Sequence, residues 1–325
     1  MKIRAIRFAE TGGPEVLKLE EIDLPEPGPG EIRVRLEAIG VNYIDTYHRS
    51  GLYKMPLPSG VGLEGAGIVD ALGPGVTRVK PGDRVAYASG PIGVYAEAHN
   101  VSAARVVKIP ASISDEQAAA MMLKGLTVRY LIKETYPVKA GETVLFHAAA
   151  GGVGLIACQW LRALGVTVIG TVGSEAKAQL ARAHGCEHVI LYRKEDVAKR
   201  VRELTGGKGV PVVYDSVGKD TFLGSLDSLK VRGLMVSFGN ASGPVTGVDL
   251  GILSQKGSLY LTRPTGAHYN QTTEELEEAA ADLFDVVASG KVKIEIHQRY
   301  RLADAVQVHR DLESRKTTGA SVILP

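Results

Sequence analysis

Between Thr143 and Lys177 the spacing of apolar residues changes twice. The β-branched and aliphatic run Thr143 to Phe146 predicts a strand, and a small-residue turn from Ala148 to Gly154 follows it. Apolar residues then recur at helical spacing through Leu164, and a second β-branched run, Val166 to Val172, predicts another strand. This is a βαβ unit with its glycines at the first turn. Such a turn brings backbone N–H groups and a helix N-terminus close to a pyrophosphate, because no Cβ stands in the way and the helix dipole favours an anion. The alternation continues: a helix over Ser174 to His184, the strand HVILY, a helix over Glu195 to Leu204, the strand VPVVYDSV, a helix over Thr221 to Leu229, then the strands GLMVSFGN and SLYLT. That order predicts an α/β, doubly wound parallel sheet with ligands at the carboxyl ends of its strands.

The pattern before this unit is different. From Met1 to about Lys108, short alternating runs (KIRAIRF, VLKLEEI, IRVRLEAIGV, GAGIVDALG, DRVAY) are separated by Gly and Pro clusters such as PEPGPGE, which predicts a mainly β, barrel-like module. Helical signals begin at Ser114, where an N-cap and an acidic first turn precede an Ala-rich stretch. After the alternating region, Thr273 opens a helix with Leu276, Ala280, Leu283, Phe284 and Val287 on one face, ending at Gly290. The alternating KVKIEI, a helix around Ala303 to Leu312 and the strand ASVIL complete the chain. With no further nucleotide unit in this tail, the expected domains are 1–124 joined by 266–325, and 125–265.

Composition narrows the function. The 325 residues are 45% hydrophobic and 23% charged, enough for two globular cores. Lys plus Arg (38) nearly balances Asp plus Glu (36), so a net charge of +2 gives no broad basic field for nucleic acid or an anionic membrane. Small molecules are the expected partners. Cys158 and Cys186 form no Cys-x-x-Cys motif and are read as buried thiols. MKIRAIRF lacks the apolar core of a secretory signal, and the most apolar stretch, Ala148 to Cys158, is too short to span a bilayer, so a cytoplasmic location is expected.

The turn itself aligns Ala149, Gly151 and Gly154 on G-x-G-x-x-G, with Gly152 as an extra glycine. Cofactor choice is read near the end of the second strand, where an NAD site places a carboxylate for the ribose 2′-OH. Here stands Gly173, followed by Ser174 as the next helix cap and Lys177 in its first turn. A lysine there opposes the helix dipole, a cost that a bound 2′-phosphate offsets; a solvated surface lysine is the competing reading. NADPH is therefore the expected cofactor. Tyr192 at the next strand end flanks an adenosine or merely packs. Asp215 and Ser216, and Phe238, Gly239 and Asn240, are further strand-end positions facing a cofactor. His184, Cys186, Glu187 and His188 resemble metal ligands on paper, but Gly185 ends the helix between them, and His147 reads as a satisfied core histidine.

Taken together, GGPEVL, GVNYIDTYHRSGLY, PSGVGLEGAGIV, KPGDRVAY, LKGLTV, FHAAAGGVGLIACQWLRALG, VVYDSVG, MVSFGN and ESRKTTGASVILP resemble the zinc-independent quinone oxidoreductases, the ζ-crystallin-like group of the medium-chain dehydrogenase/reductase superfamily. The resemblance covers essentially the whole chain and implies a Rossmann domain beside a GroES-like barrel domain. Zinc-dependent relatives carry G-V-C-H-x-D where this chain has Gly40 to Asp45 with Asn42, and G-H-E where it has Gly62, Leu63 and Glu64. A thiolate and an imidazole ligand are thus replaced, and the cysteine-rich structural-zinc segment has no counterpart between Ser89 and Val107, so zinc is not expected. What remains is hydride transfer to an electrophilic acceptor, a quinone or an activated alkene, with protein groups stabilising developing negative oxygen. Asn42, Tyr47 and Tyr53 are the expected catalytic residues, with tyrosine packing the bland alternative. The resemblance further implies cofactor contacts at Tyr43, Ile44, Asp45, Thr46 and Tyr47, at Lys124, Thr127 and Tyr130, at Gly152 and Val153, at Gly173 to Lys177, at Phe238 to Ala241, at Arg263, Pro264 and Thr265, and at Arg315. It also implies a homodimer formed through an edge strand, for which SLYLT, apolar and without blunting charges, is the candidate. The leading expectation is an NADPH-dependent quinone reductase. The alternatives are a reductase of α,β-unsaturated carbonyls and, in a different class, a single-stranded-RNA-binding or structural protein that retains NADPH.

Overall fold

The computed structural model describes residues 1–325. Two compact units emerge, one of Met1–Leu126, Asn270–Ala288 and Ile294–Pro325, the other of Thr127–Tyr269 with Ser289–Lys293.

The first unit is built from β1 (Lys2–Phe8), β2 (Lys18–Asp23), β3 (Glu31–Gly40), α1 (Tyr43–Ser50), β4 (Ser59–Gly60), β5 (Glu64–Leu72), β6 (Arg84–Tyr87), β7 (Ala98–Ser102), β8 (Val107–Lys108) and most of α2 (Asp115–Tyr130). Its strands form a three-stranded sheet, β2-β1-β4, and a larger sheet whose central strand β3 pairs antiparallel with both β5 and β7. Inward residues such as Ile32, Val34, Val69, Val85 and Val101 make one buried core, the alternation expected of strands with one covered face. Helix α1 was not foreseen in this mainly β module. It forms because Asp45, its third residue, accepts the Asn42 backbone N–H at 2.9 Å, and Gly51 closes it with φ of 81°.

The second unit holds β9 (Thr143–Phe146), α3 (Gly152–Ala163), β10 (Thr167–Val172), α4 (Glu175–Ala183), β11 (His188–Leu191), α5 (Val197–Leu204), β12 (Val210–Asp215), α6 (Phe222–Ser228), β13 (Leu229–Ser237), α7 (Gly251–Gln255) and β14 (Tyr260–Thr262). Strand order is β11-β10-β9-β12-β13-β14, with every pair parallel. The chain leaves β9 in one direction to β10 and β11, and later fills the other side with β12 to β14. The doubly wound sheet of the Rossmann fold is therefore present, with its switch point between β9 and β12.

The tail, α8 (Thr273–Ala288), β15 (Ile296–Arg301), α9 (Ala305–Glu313) and β16 (Ala320–Leu324), returns to the first unit, where β16 pairs with β3 and β15 with β16. Two details differ from expectation. KVKIEI is not a strand: β15 begins only at Ile296, while Lys293 is held in the second unit by reciprocal bonds to Gln159, its N–H donating at 2.9 Å and its carbonyl accepting at 3.1 Å. On α8 the buried face includes Val286, with Val287 only half-buried. No helix is long and apolar enough to cross a membrane.

Candidate functional site

In the second unit, β9 runs into His147 and the chain reverses at Ala148, a non-glycine residue with φ of 54°. Gly151 is the N-cap of α3, with no side-chain cap and no acidic residue in the first turn. The leading N–H groups of a helix have no partner within it, so α3 presents an uncapped, dipole-positive end. These residues fit a pyrophosphate. Gly154 serves a different purpose: a Cβ there would meet the Ala148 carbonyl and lie 2.7 Å from Ala149 Cα, so only glycine lets the helix sit this close to the turn.

Beneath the turn lies a buried polar chain that joins three strand ends. Asp215, fully buried at the end of β12, accepts from Val217 N (2.8 Å), Gly218 N (3.0 Å), Thr221 Oγ1 (2.7 Å) and Ser225 Oγ (2.7 Å). Ser225 Oγ also lies 3.0 Å from His147 Nε2, and His147 Nδ1 lies 2.9 Å from Thr171 Oγ1 on β10. Since Ser225 spends its only proton on Asp215, it must accept from His147, which fixes the Nε2–H tautomer and leaves Nδ1 to accept from Thr171. Burial holds the His147 pKa down, against a smaller upward pull from Asp215. His147 is thus the satisfied core histidine expected of it, and its Ser225 and Thr171 partners carried no signal in the sequence.

At the end of β10, a Cβ on Gly173 would lie 2.6 Å from the Tyr192 hydroxyl, so the two form one surface. Ser174 Oγ accepts from Lys177 N at 3.4 Å as the cap of α4. Further strand ends are organised around Arg263, whose Nη1 donates to the Ser237 (2.8 Å) and Gly239 (3.3 Å) carbonyls. Gly239 is pressed against the Ser216 backbone, and Ser216 and Phe238 are half-buried. Tyr130 stacks on Tyr269 with centroids 4.4 Å apart, and burial pushes its phenol up to about 12. Thr127 hydrogen-bonds to Tyr130, and the charge of Arg263 reaches the same phenol. Beyond Arg263, Thr265 is exposed and Pro264 half-buried. The paper metal set is dispersed: His184 Nδ1 faces the Leu180 carbonyl, and Cys186 Sγ the His188 carbonyl.

In the first unit the expected residues gather around α1. Tyr43 and Tyr47 have ring centroids 5.6 Å apart and are tilted to one another, while Tyr47 and Tyr53 meet edge to face at 5.2 Å. Burial raises the Tyr43 phenol, against a smaller downward pull from the charge of Arg315. Asp45 and Thr46 turn inward instead. Thr46 Oγ1 donates to the Tyr43 carbonyl at 2.7 Å, and Asp45 Oδ2 accepts from Asn42 N and from Tyr95 Oη at 3.0 Å. Burial drives the Asp45 pKa from 3.8 to about 7, and its Oδ1 has no hydrogen-bond partner.

Asn42 is committed as well. Its Nδ2 donates to Glu64 Oε2 at 2.7 Å, and the same oxygen accepts from Lys124 Nζ at 3.0 Å, while Glu64 Oε1 accepts from Leu123 N at 2.7 Å. All three side chains are buried. These residues do not fit a zinc ion: Asn42 and Leu63 supply neither thiolate nor imidazole, and the remaining carboxylate is already occupied by an ammonium. Glu64 as the anchor of Asn42 and Lys124 was not anticipated; nothing in local spacing signals it.

Residues 28–111 match the alcohol dehydrogenase GroES-like domain, and residues 152–285 a family described as zinc-binding dehydrogenase. A quinone oxidoreductase from Pseudomonas aeruginosa is 60% identical over 323 residues, 99% of either chain. A 2-haloacrylate reductase from a Burkholderia species is 45% identical over 334 residues, 99% of both. The crystal structure of Escherichia coli quinone oxidoreductase complexed with NADPH superposes with a TM-score of 0.98 at 56% identity, covering 99% of this chain and 100% of that one.

Proposed function

Because the chain belongs to the quinone oxidoreductase family of the medium-chain dehydrogenase/reductase superfamily, we propose that it is a metal-free NADPH:quinone oxidoreductase. The observation that carries the cofactor choice is the end of β10, where Gly173 removes the carboxylate that would repel a 2′-phosphate and Lys177 offers a cation in the first turn of α4. The E. coli relative, crystallised with NADPH, supports the same choice.

The bound nicotinamide supplies hydride chemistry; the protein binds, orients and stabilises charge. The uncapped α3 N-terminus would hold the pyrophosphate, Gly173, Tyr192 and Lys177 would receive the 2′-phosphate end, and Tyr130 and Arg263 would hold further parts of the nucleotide. In the first unit, Tyr47 and Tyr53 give a quinone ring flat apolar faces and hydroxyl donors. Asn42 acts by way of its hydrogen bond to Glu64 and its place at the head of α1, a narrower role than direct donation to substrate.

Turnover of small quinones measured with NADPH and with NADH tests the reading. A clear NADPH preference is expected, and a preference for NADH would refute the cofactor assignment. A second reading, reduction of α,β-unsaturated carbonyls, is favoured by the 45% identity to a 2-haloacrylate reductase; faster turnover of such alkenes than of any quinone would install it instead. The protein acts as a cytoplasmic homodimer through β14, which lies at the sheet edge with Tyr260 60% and Leu261 37% exposed. Free, buried Cys158 and Cys186 are in keeping with a reducing compartment.

A further inference from the structure

We propose that Lys124 is the proton donor that completes acceptor reduction, delivering a proton to the ring oxygen left anionic by hydride transfer. The proposal rests on the quinone reductase reading above.

Lys124 is only 5% exposed and its ammonium carries three N–H donors, yet Glu64 Oε2 is its one hydrogen-bond acceptor in the protein. Two donors of a buried cation are uncommitted, an arrangement that costs stability and is poorly explained as a structural ion pair. The pair is also built with care. Glu64 is fixed from three directions, by Leu123 N, Asn42 Nδ2 and Lys124 Nζ. Gly40, its partner across β3 and β5, has to be glycine, because a Cβ there would strike the Ala119 backbone carbonyl as well as the Glu64 carboxylate. Sharing one oxygen with Lys124 puts the Asn42 amide directly beside the ammonium, at the head of the helix that carries Tyr43 and Tyr47.

Reduction of a quinone by a reduced nicotinamide moves two electrons and one hydrogen as hydride. A hydroquinone monoanion results, and one proton is still owed. As the O–H bond forms, an N–H bond of Lys124 breaks, leaving a neutral amine against the Glu64 carboxylate, which solvent reprotonates before the next turnover. The charged and titratable groups facing this ammonium are Glu64 on β5 and Asp45 on α1, whose carboxyl responds to the Lys124 charge.

The test compares wild type, Lys124→Met and Lys124→Arg with NADPH and 1,4-benzoquinone, following single-turnover rate, kcat, NADPH Kd and thermal midpoint. Lys124→Met is expected to lower the single-turnover rate on the order of a hundredfold, within the range of a lost general acid, and to change NADPH Kd by a far smaller factor. Lys124→Arg keeps the charge but does not release its proton, so it stays as slow as Lys124→Met. An arginine variant that restores the wild-type rate overturns the proposal, since a fixed cation then suffices. So does a Lys124→Met enzyme within threefold of wild type. A wild type that reduces no quinone removes the functional reading and this proposal with it, whereas unchanged variant ratios in an active enzyme remove the proposal alone.

Discussion

Lys177 and Asp45 differ in how far a single side chain can be read without the fold. The role proposed for Lys177 comes from sequence alone, because it stands four residues after the glycine at the end of β10 and the rule linking that strand end to the ribose is local. Replacing it with alanine is expected to raise the NADPH KM by roughly tenfold, equivalent to about 1.4 kcal/mol, and to leave the NADH KM unchanged. Steady-state kinetics with both nucleotides measure the ratio, and equal changes would detach Lys177 from the phosphate. Asp45 was expected among the cofactor contacts, and its carboxyl instead lies buried against Asn42 N and Tyr95. Its pKa of about 7 in the fold exceeds the ordinary 3.8. The neutral acid therefore favours the folded state below about pH 4, and the advantage drains away as pH rises to 7, in total on the order of 4 kcal/mol. Asp45→Asn, which mimics the neutral form, should unfold at higher urea than wild type at pH 8 and show little gain at pH 4. A stability difference independent of pH would contradict this.

At the scale of elements, the βαβ unit was legible because helix and strand periods differ and glycine marks the turn between them. Helix α1 was not, since its eight residues mix tyrosines with polar groups and follow directly from a strand. Its cap is set by Asn42 and Asp45, a pair that also occurs in loops. Gly154 can be tested as the contact that sets α3 against its turn. Gly154→Ala is expected to lower stability by about 1–3 kcal/mol, measured by denaturant unfolding, and to weaken NADPH binding with it. Ser225→Ala removes the acceptor of the His147 Nε2–H and one donor to Asp215. A cost of about 1–3 kcal/mol is expected, together with a changed imidazole nitrogen signal in NMR; an unaltered signal would refute the assigned tautomer.

For the whole molecule, sheet order decides what stays exposed. The pattern of SLYLT suggested an edge strand, and the parallel order ending in β14 places it there. If β14 joins two copies, Tyr260→Lys with Leu261→Lys should yield a monomer by light scattering with NADPH binding retained; a persistent dimer would move the interface elsewhere. By itself, the sequence determined the doubly wound half, the mainly β half and the strand ends proposed to face a cofactor, because periodicity, caps and glycine turns act over a few residues. It also supplied the absence of thiolate and imidazole at Asn42 and Leu63. Only the tertiary structure decided what replaces them: Glu64 meets Asn42 22 residues away and Lys124 60 residues away. No local rule connects those positions. They are joined by the pairing of β3 with β5 and the seating of α2, and burial then forces a carboxylate, an amide and an ammonium to satisfy one another.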